Sequence, residues 1–167
     1  MNKVEAVERE RIEELRQAAY MLFDEKTALL VHLGFRLGLR IGDLLKLTYG
    51  HFLTDSRHIW VREERTGKRR RIPYCSDTRD RVISLMHHQN GSRRGYIFTG
   101  RDGVKPMHRS TAFRKIRYAG EVLDMEVSPQ SLRKTYVHEL YRVSGDAKAV
   151  QKAMRLRHKS YVLEHYF

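Results

Sequence analysis

Apolar residues recur every three to four positions along most of the chain, which is the spacing of helices with one buried face. This pattern predicts a first helix over residues 4–23 and, after a polar break at 24–26, a second helix over Thr27–Leu37. The second helix is apolar on nearly every face, so we expect it at the centre of the core. Gly38 permits a turn after it, and a third helix is predicted to begin at about Arg40.

From Gly50 onward the apolar spacing changes to that of β-strands. The runs HIWVRE and RRIPY are short and strand-like, and the segment ERTGK between them supplies a turn that contains glycine. Together they predict an antiparallel hairpin, to which residues 51–54 would add a third strand.

Helical spacing then returns in the second half of the chain. Ser76 or Asp77 can cap a helix that runs to about His88, and residues 110–123 predict another. The last forty residues, Ser128–Phe167, predict three short helices. The first of these begins with a serine followed by proline, which suits the first helical position.

The length of 167 residues fits one domain with an ordinary hydrophobic core. No repeat, linker or low-complexity tract divides the chain. We therefore expect residues 1–167 to form a single α+β domain, mainly helical, with a small antiparallel sheet. The one cysteine, Cys75, excludes an internal disulfide and a cysteine-cluster metal site.

The charge of the chain indicates a polyanionic partner. It has 33 Lys and Arg against 20 Asp and Glu, a net charge of +13. A surplus of this size in a chain of globular composition most often marks a nucleic-acid-binding protein. No run approaches the roughly 18 apolar residues of a membrane-spanning helix, and the charged start does not resemble a signal peptide. We expect a cytoplasmic, DNA-associated protein without a membrane partner.

Two arginines stand in short motifs about ninety residues apart, and a fold that brought them together would form a phosphate site. Arg40 lies in GLRIGDLL, where Asp43 follows one helical turn later, and Arg133 lies in SPQSLRKT. Two guanidinium groups can bind the oxygens of a phosphodiester bidentately and stabilise a phosphorane without a metal. Asp43 can orient Arg40 by pairing with it, although such a pair is also common as a surface ion pair at a helix start.

A histidine and two tyrosines close the sequence. Tyr166 follows His158 by eight residues, and Tyr161 is the competing candidate for a nucleophile. Taken singly, the histidine fits a helix cap or a surface residue, and a tyrosine near the end of a chain is unremarkable in function. Only the joint order of arginine, arginine, histidine and tyrosine is specific.

That joint order resembles the active site of tyrosine recombinases, the phage-integrase family. The resemblance covers only the family's catalytic domain, from about Ala19 to Tyr166. We therefore expect either an excised or minimal domain, or a chain whose N-terminal DNA-clamping part comes from partners. The sequence departs from the family pattern at several positions, including the spacing of eight residues from His158 to Tyr166, where the family usually has nine. Gln130 replaces the usual histidine of H-x-L-R and cannot act as an acid or a base, and Arg157 replaces the glycine before His158.

The predicted hairpin resembles the one that carries the family's catalytic lysine. Counting back from Ile72–Pro73 gives that position to Arg65, while Lys68 stands three residues later, so both are candidates for the general acid. The hairpin is also the densest basic segment. We expect its side chains, together with two lysines of the last forty residues, to bind DNA phosphates. These DNA-binding candidates are Arg62, Arg69, Arg70, Arg71, Lys134 and Lys159.

The resemblance implies a DNA-breaking and rejoining enzyme. Tyr166 would attack a backbone phosphate to form a 3′-phosphotyrosyl link, with Arg40, Gln130, Arg133 and His158 around it and with no metal or cofactor. Double-stranded DNA would be the partner, bound by a homo-oligomer (a dimer or tetramer). Three alternatives remain open: a DNA-binding relative with a degenerate site, a type IB topoisomerase-like activity, and an unrelated basic nucleic-acid-binding domain. Against the last, the aromatic residues do not form an RNA-stacking platform.

Overall fold

The computed structural model describes residues 4–167, apart from the side chain of residue 163. The predicted fold class is confirmed, since the chain is mainly helical with one two-stranded antiparallel sheet. The elements are α1 (Ile12–Leu22), α2 (Glu25–Leu37), α3 (Ile41–Leu44), β1 (His58–Arg62), β2 (Arg69–Pro73), α4 (Ser76–His88), α5 (Arg109–Glu121), α6 (Pro129–Ser144), α7 (Ala147–Ala153) and α8 (Lys159–Tyr166). Short 3₁₀ turns cover Arg9–Arg11 and Tyr49–His51.

Helix α2 lies at the centre of the core, as its apolar sequence predicts. The carboxylate of Asp24 caps its start by accepting a hydrogen bond from the Thr27 amide at 2.7 Å. The helix ends at Gly38, whose φ of 58° lies in the left-handed region that glycine adopts most easily. This turn ends α2 and places Arg40 at the cap position of α3.

The β-hairpin alternates between a buried and an exposed face. Ile59 pairs with Ile72 and Val61 pairs with Arg70 in the antiparallel register, and all four residues are buried. Because side chains alternate along a strand, the intervening residues face outward. The turn between the strands contains Gly67, with a φ of 66°.

Two predicted elements differ from the structure. The first helix begins at Ile12, after a 3₁₀ turn, rather than at residue 4. Residues 51–54 form no strand, so that prediction was wrong. The ring of His51 accepts a hydrogen bond from the Thr48 amide at 3.0 Å, and this local contact curls the chain into a 3₁₀ turn.

The three short C-terminal helices are confirmed, and they build a second apolar cluster. Ser128 caps α6, which carries proline at its first turn as predicted. Helices α6, α7 and α8 enclose Val137, Ala147, Val150, Met154, Val162 and Tyr166. Packing of α8 in this cluster brings Tyr166 against α6. Along the part of the chain that the structure describes, no helix is long and apolar enough to cross a membrane.

Candidate active site

Arg133 and Tyr166 are in direct contact inside the protein. Arg133, on α6, is only 1% exposed, and its Nε donates a hydrogen bond to the Tyr166 hydroxyl oxygen at 3.1 Å. Its Nη1 donates to the carbonyl oxygen of Gly38 at 2.7 Å. The third nitrogen, Nη2, is buried and has no hydrogen-bond partner among the described residues. Arg133 therefore contacts the tyrosine through Nε, while its Nη2 donor stays unpaired within the described residues.

Arg40 contributes a second buried donor. Its Nη1 is buried and makes no hydrogen bond within residues 4–167, although the carboxylate of Glu63 lies 3.5 Å away. Burial lowers the pKa of Arg40, and the positive charge of Arg133 lowers it further, whereas the nearby Glu63 and Tyr166 act in the opposite direction. Buried donors are nearly always paired in proteins. Two of them on adjacent guanidinium groups form a site suited to an anion.

The predicted pairing of Asp43 with Arg40 was wrong. Asp43 is buried, and its carboxylate accepts a hydrogen bond from the Glu64 amide at 2.9 Å. Arg40 occupies the cap position of α3 with an extended backbone, so the spacing rule for two residues inside one helix does not apply. Asp43 instead ties the hairpin turn after β1 to α3.

A cavity of about 560 Å³ adjoins Arg40. Arg65 and Gln130 both line it, so the structure brings these two predicted residues to the side of Arg40. Lys68 is not among the residues that line this cavity. It is exposed in the hairpin turn, where its amide donates to the Thr66 hydroxyl at 3.3 Å.

Arg109 is a cavity residue that sequence reasoning missed. It begins α5, lines the same cavity and lies 3.3 Å from the carboxylate of Glu64. Its guanidinium also packs over Gly42, where an added Cβ would lie 2.5 Å from Nη2. The only signal in the sequence was a positive charge at the start of a predicted helix, and no spacing relates it to Arg40.

The structure does not bring His158 to the tyrosine. His158 caps α8 through its backbone, is exposed, and makes no side-chain hydrogen bond in the described part of the chain. Tyr161 is 39% exposed and stacks on His165, with ring centroids 3.8 Å apart. Of the two candidate tyrosines, only Tyr166 contacts an arginine of the predicted site.

The basic residues of the hairpin divide into an exposed and a buried group. Arg62, Arg69 and Arg71 are exposed, as is Lys159 near the C terminus. The guanidinium of Arg69 lies over the ring of the exposed Trp60, 4.9 Å from its centroid. This outer face presents positive charge and one aromatic side chain to solvent.

Two residues predicted to bind DNA are instead buried. Arg70 is 1% exposed and forms an ion pair of 3.1 Å with Glu63, because the strand alternation turns it inward beside Ile72. Lys134 is 4% exposed, and its ammonium donates to the Val4 carbonyl at 3.0 Å. Side chains enclosed in this way do not present their charge to a DNA backbone.

Comparison with known proteins gives consistent matches over nearly the whole chain. The model of the Phage integrase family matches residues 5–167. The tyrosine recombinase XerD of Chlamydia pneumoniae is 26% identical over 132 residues, which cover 75% of this chain and 42% of that protein.

Solved structures share the fold at lower identity. The XerA recombinase superposes with a TM-score of 0.82 at 20% identity, over 99% of this chain and 61% of that one. The Tn1549 transposon integrase, solved in complex with transposon right end DNA, gives a TM-score of 0.78 at 18% identity, over 100% and 62% of the two chains. The chain thus spans less than two thirds of the length of each of these proteins.

Proposed function

The chain belongs to the phage integrase family, and from that premise we propose that it cuts and rejoins DNA strands through a covalent link to Tyr166. The observation that carries this proposal is the contact of Arg133 with the Tyr166 hydroxyl, next to two buried guanidinium donors that have no partner among the described residues. A phosphodiester placed there would meet the phenolic oxygen and both donors together.

The reaction exchanges one phosphate ester for another. The Tyr166 oxygen bonds to phosphorus, the bond from phosphorus to the 5′-oxygen breaks, and the phenolic proton leaves. The 5′-oxygen takes up a proton and departs as a hydroxyl group. Attack by the 5′-hydroxyl of another strand reverses these steps and releases the tyrosine. The covalent intermediate conserves the phosphodiester bond energy, which water as the nucleophile would not.

The two arginines stabilise the negative charge that grows on the phosphate oxygens. A single preorganised donor to a developing oxyanion contributes about 2.7–4 kcal/mol in a comparable setting. A planar guanidinium can bind two oxygens at once, whereas an ammonium cannot. We therefore expect Lys to substitute poorly for Arg40 or Arg133. This chemistry assigns no step to a metal.

The proposed partner is double-stranded DNA, bound in the cytoplasm by a dimer or tetramer of the protein. The net charge of +13 supports DNA binding. The Tn1549 integrase, which shares the fold, was solved in complex with transposon right end DNA. Gln130 lines the cavity beside Arg40 and would donate a hydrogen bond to the phosphate, the role that its amide permits.

The test is a covalent adduct assay. The protein is incubated with nicked DNA whose cut fragment diffuses away, and the mixture is separated under denaturing conditions. We expect a band of protein joined to DNA.

DNA binding without an adduct would refute the proposed reaction. It would favour a DNA-binding relative with a degenerate site, an alternative that Gln130 and the exposed His158 support. Relaxation of supercoiled plasmid in the same preparation would indicate a topoisomerase-like activity.

A further inference from the structure

Glu63 is a buried carboxylate that lies between two guanidinium groups. It is 1% exposed and directly follows strand β1. Its Oε1 lies 3.1 Å from Arg70, and its Oε2 lies 3.5 Å from Arg40. Nothing in the family resemblance of the sequence pointed to this residue.

Arg70 extends the contact toward the other arginine of the site. Its two Nη atoms donate to the carbonyl oxygens of Leu37 and Gly38, at 2.7 and 3.3 Å. The Gly38 carbonyl also accepts the hydrogen bond from Arg133 at 2.7 Å. A continuous series of contacts therefore runs from Arg40 through Glu63, Arg70 and the Gly38 carbonyl to Arg133.

The electrostatic need for such a carboxylate follows from the burial of three guanidinium groups. Arg70 and Arg133 are each 1% exposed, and the Arg40 side chain is 27% exposed. Like charges at short range repel strongly when little water screens them. Glu63 is the only carboxylate that the structure places within ion-pair distance of Arg40 or Arg70 in residues 4–167.

We propose that Glu63 is a positioning residue for the reaction, which holds Arg40 in its place beside Arg133 before DNA arrives. The inference rests on the proposed function. At 3.5 Å the carboxylate attracts the Arg40 guanidinium without forming a hydrogen bond to it. The Nη1 donor of Arg40 is therefore held in position without a hydrogen bond that a phosphate oxygen would have to displace.

The role of the Glu63 side chain is separable from that of its backbone. The Glu63 amide and carbonyl close the hairpin turn through bonds to Lys68 and Gly67, at 3.0 and 2.8 Å. A Glu63→Gln substitution leaves both bonds in place and keeps the side-chain volume. It removes the charge that faces Arg40 and Arg70 and replaces one of the two acceptor oxygens by an amide group.

The experiment measures single-turnover adduct formation on nicked DNA with the full chain. We expect Glu63→Gln to slow the reaction on the order of tenfold while DNA affinity stays the same. In an Arg40→Ala background the same substitution should have no further effect, because Glu63 would act through Arg40. Glu13→Gln removes a surface carboxylate paired with Arg16 and serves as the control with an unchanged rate.

A second variant separates positioning from simple stabilisation. Replacement of a buried ion pair by apolar side chains is often neutral for stability, so the double variant Glu63→Leu/Arg70→Met should fold and melt near the wild type but react slowly. Recovery of both stability and rate in this variant would refute the positioning role. So would a wild-type rate in Glu63→Gln. Absence of an adduct with the wild-type chain would overturn the proposed function itself, and this inference with it.

Discussion

His138 donates a hydrogen bond from its Nε2 to the carbonyl oxygen of Tyr166. Helix α6 thereby holds the tyrosine at two points, since Arg133 on the same helix binds the phenolic oxygen. The ring of Phe167 stacks on His138, with centroids 4.6 Å apart and planes 10° apart. The position of the candidate nucleophile is thus fixed by contacts within one chain.

Substitution of His138 should slow adduct formation without weakening DNA binding. His138→Ala removes both the hydrogen bond and the stacking contact, so Tyr166 would spend less time in position. We expect a fall in rate of roughly tenfold, in line with the sensitivity of catalysis to small misplacements. Single-turnover kinetics with nicked DNA measure it. His165→Ala removes a histidine that stacks on Tyr161 and should react at the wild-type rate.

Tyr166→Phe should abolish the adduct and leave DNA affinity unchanged, because only the hydroxyl group is lost. Tyr161→Phe should still form the adduct, since the Tyr161 ring stacks on His165 and makes no hydrogen bond in the described part of the chain. Denaturing gels with labelled DNA distinguish the two variants. An adduct that survives in Tyr166→Phe would show that the wrong tyrosine has been assigned.

The general acid can be identified with DNA that carries sulfur at the 5′ bridging position, because a thiolate leaves without protonation. Arg65 lines the cavity beside Arg40, but a guanidinium is a poor proton donor, whereas an ammonium loses its proton more readily. We expect Lys68→Ala to cleave normal DNA slowly and the sulfur-containing DNA at nearly the wild-type rate. This outcome requires the hairpin turn to move so that Lys68 approaches the site when DNA binds.

Arg65→Ala is the matched comparison for that experiment. If Arg65 only binds phosphate, its removal should slow cleavage of both substrates alike. Rescue by sulfur in Arg65→Ala alone would reverse the assignment. Failure of sulfur to rescue either variant would transfer the role to another residue, with His158 next to be tested.

DNA affinity should depend steeply on salt, and the outer face of the hairpin should account for part of the dependence. Each phosphate contact contributes a slope of about −0.9 in a plot of log affinity against log salt concentration. The exposed pair Arg69 and Arg71 should make the slope shallower by about two when both become alanine. Lys134→Met should leave the slope unchanged, since that ammonium is bound to the Val4 carbonyl. Fluorescence anisotropy at several salt concentrations measures both.

The stability of the protein should fall in mild acid because of His32. This residue is 3% exposed, and burial, followed by the charges of Arg81 and Arg36, lowers its pKa from 6.5 to about 4. Below pH 6.5 His32 takes up a proton in the unfolded chain, whereas in the folded chain it stays neutral until the pH approaches 4. The contribution of His32 to the free energy of unfolding is therefore intact above pH 6.5 and is lost as the pH falls toward 4, by about 3 kcal/mol in all.

Chemical denaturation between pH 4.5 and 7 tests this effect. His32→Gln should flatten the pH dependence, because it removes the titrating group. His87→Gln removes an exposed histidine and should leave the profile as in the wild type. Equal slopes in His32→Gln and the wild type would show that His32 is not the source.

Local patterns in the sequence were sufficient to predict most of the helices and the hairpin. The apolar spacing located α2 and the C-terminal helices, and the glycine-containing turn located the hairpin. The third strand failed because a single contact, from the Thr48 amide to the His51 ring, decides that turn. Such a side-chain cap leaves no trace in apolar spacing.

The site residues that lie in sequence motifs could be predicted. Those that meet the site only through long-range contacts could not. The order of Arg40, Arg133 and Tyr166 identified the residues that the structure brings together. The burial of Arg70 was also predictable, since it shares a strand face with Ile72 in the alternating pattern. The approach of Glu63 to Arg40 depends on how the hairpin docks against the end of α2, and no spacing along the chain encodes it.

The carbonyl oxygen of Gly38 accepts hydrogen bonds from Arg70 and Arg133, which come from distant parts of the chain. Strand β2, helix α6 and the end of α2 must all be in place before these two bonds can form together. A chain in which one of the three segments is detached would not hold the tyrosine and the guanidinium groups in register. The proposed cleavage would therefore be confined to the fully folded protein.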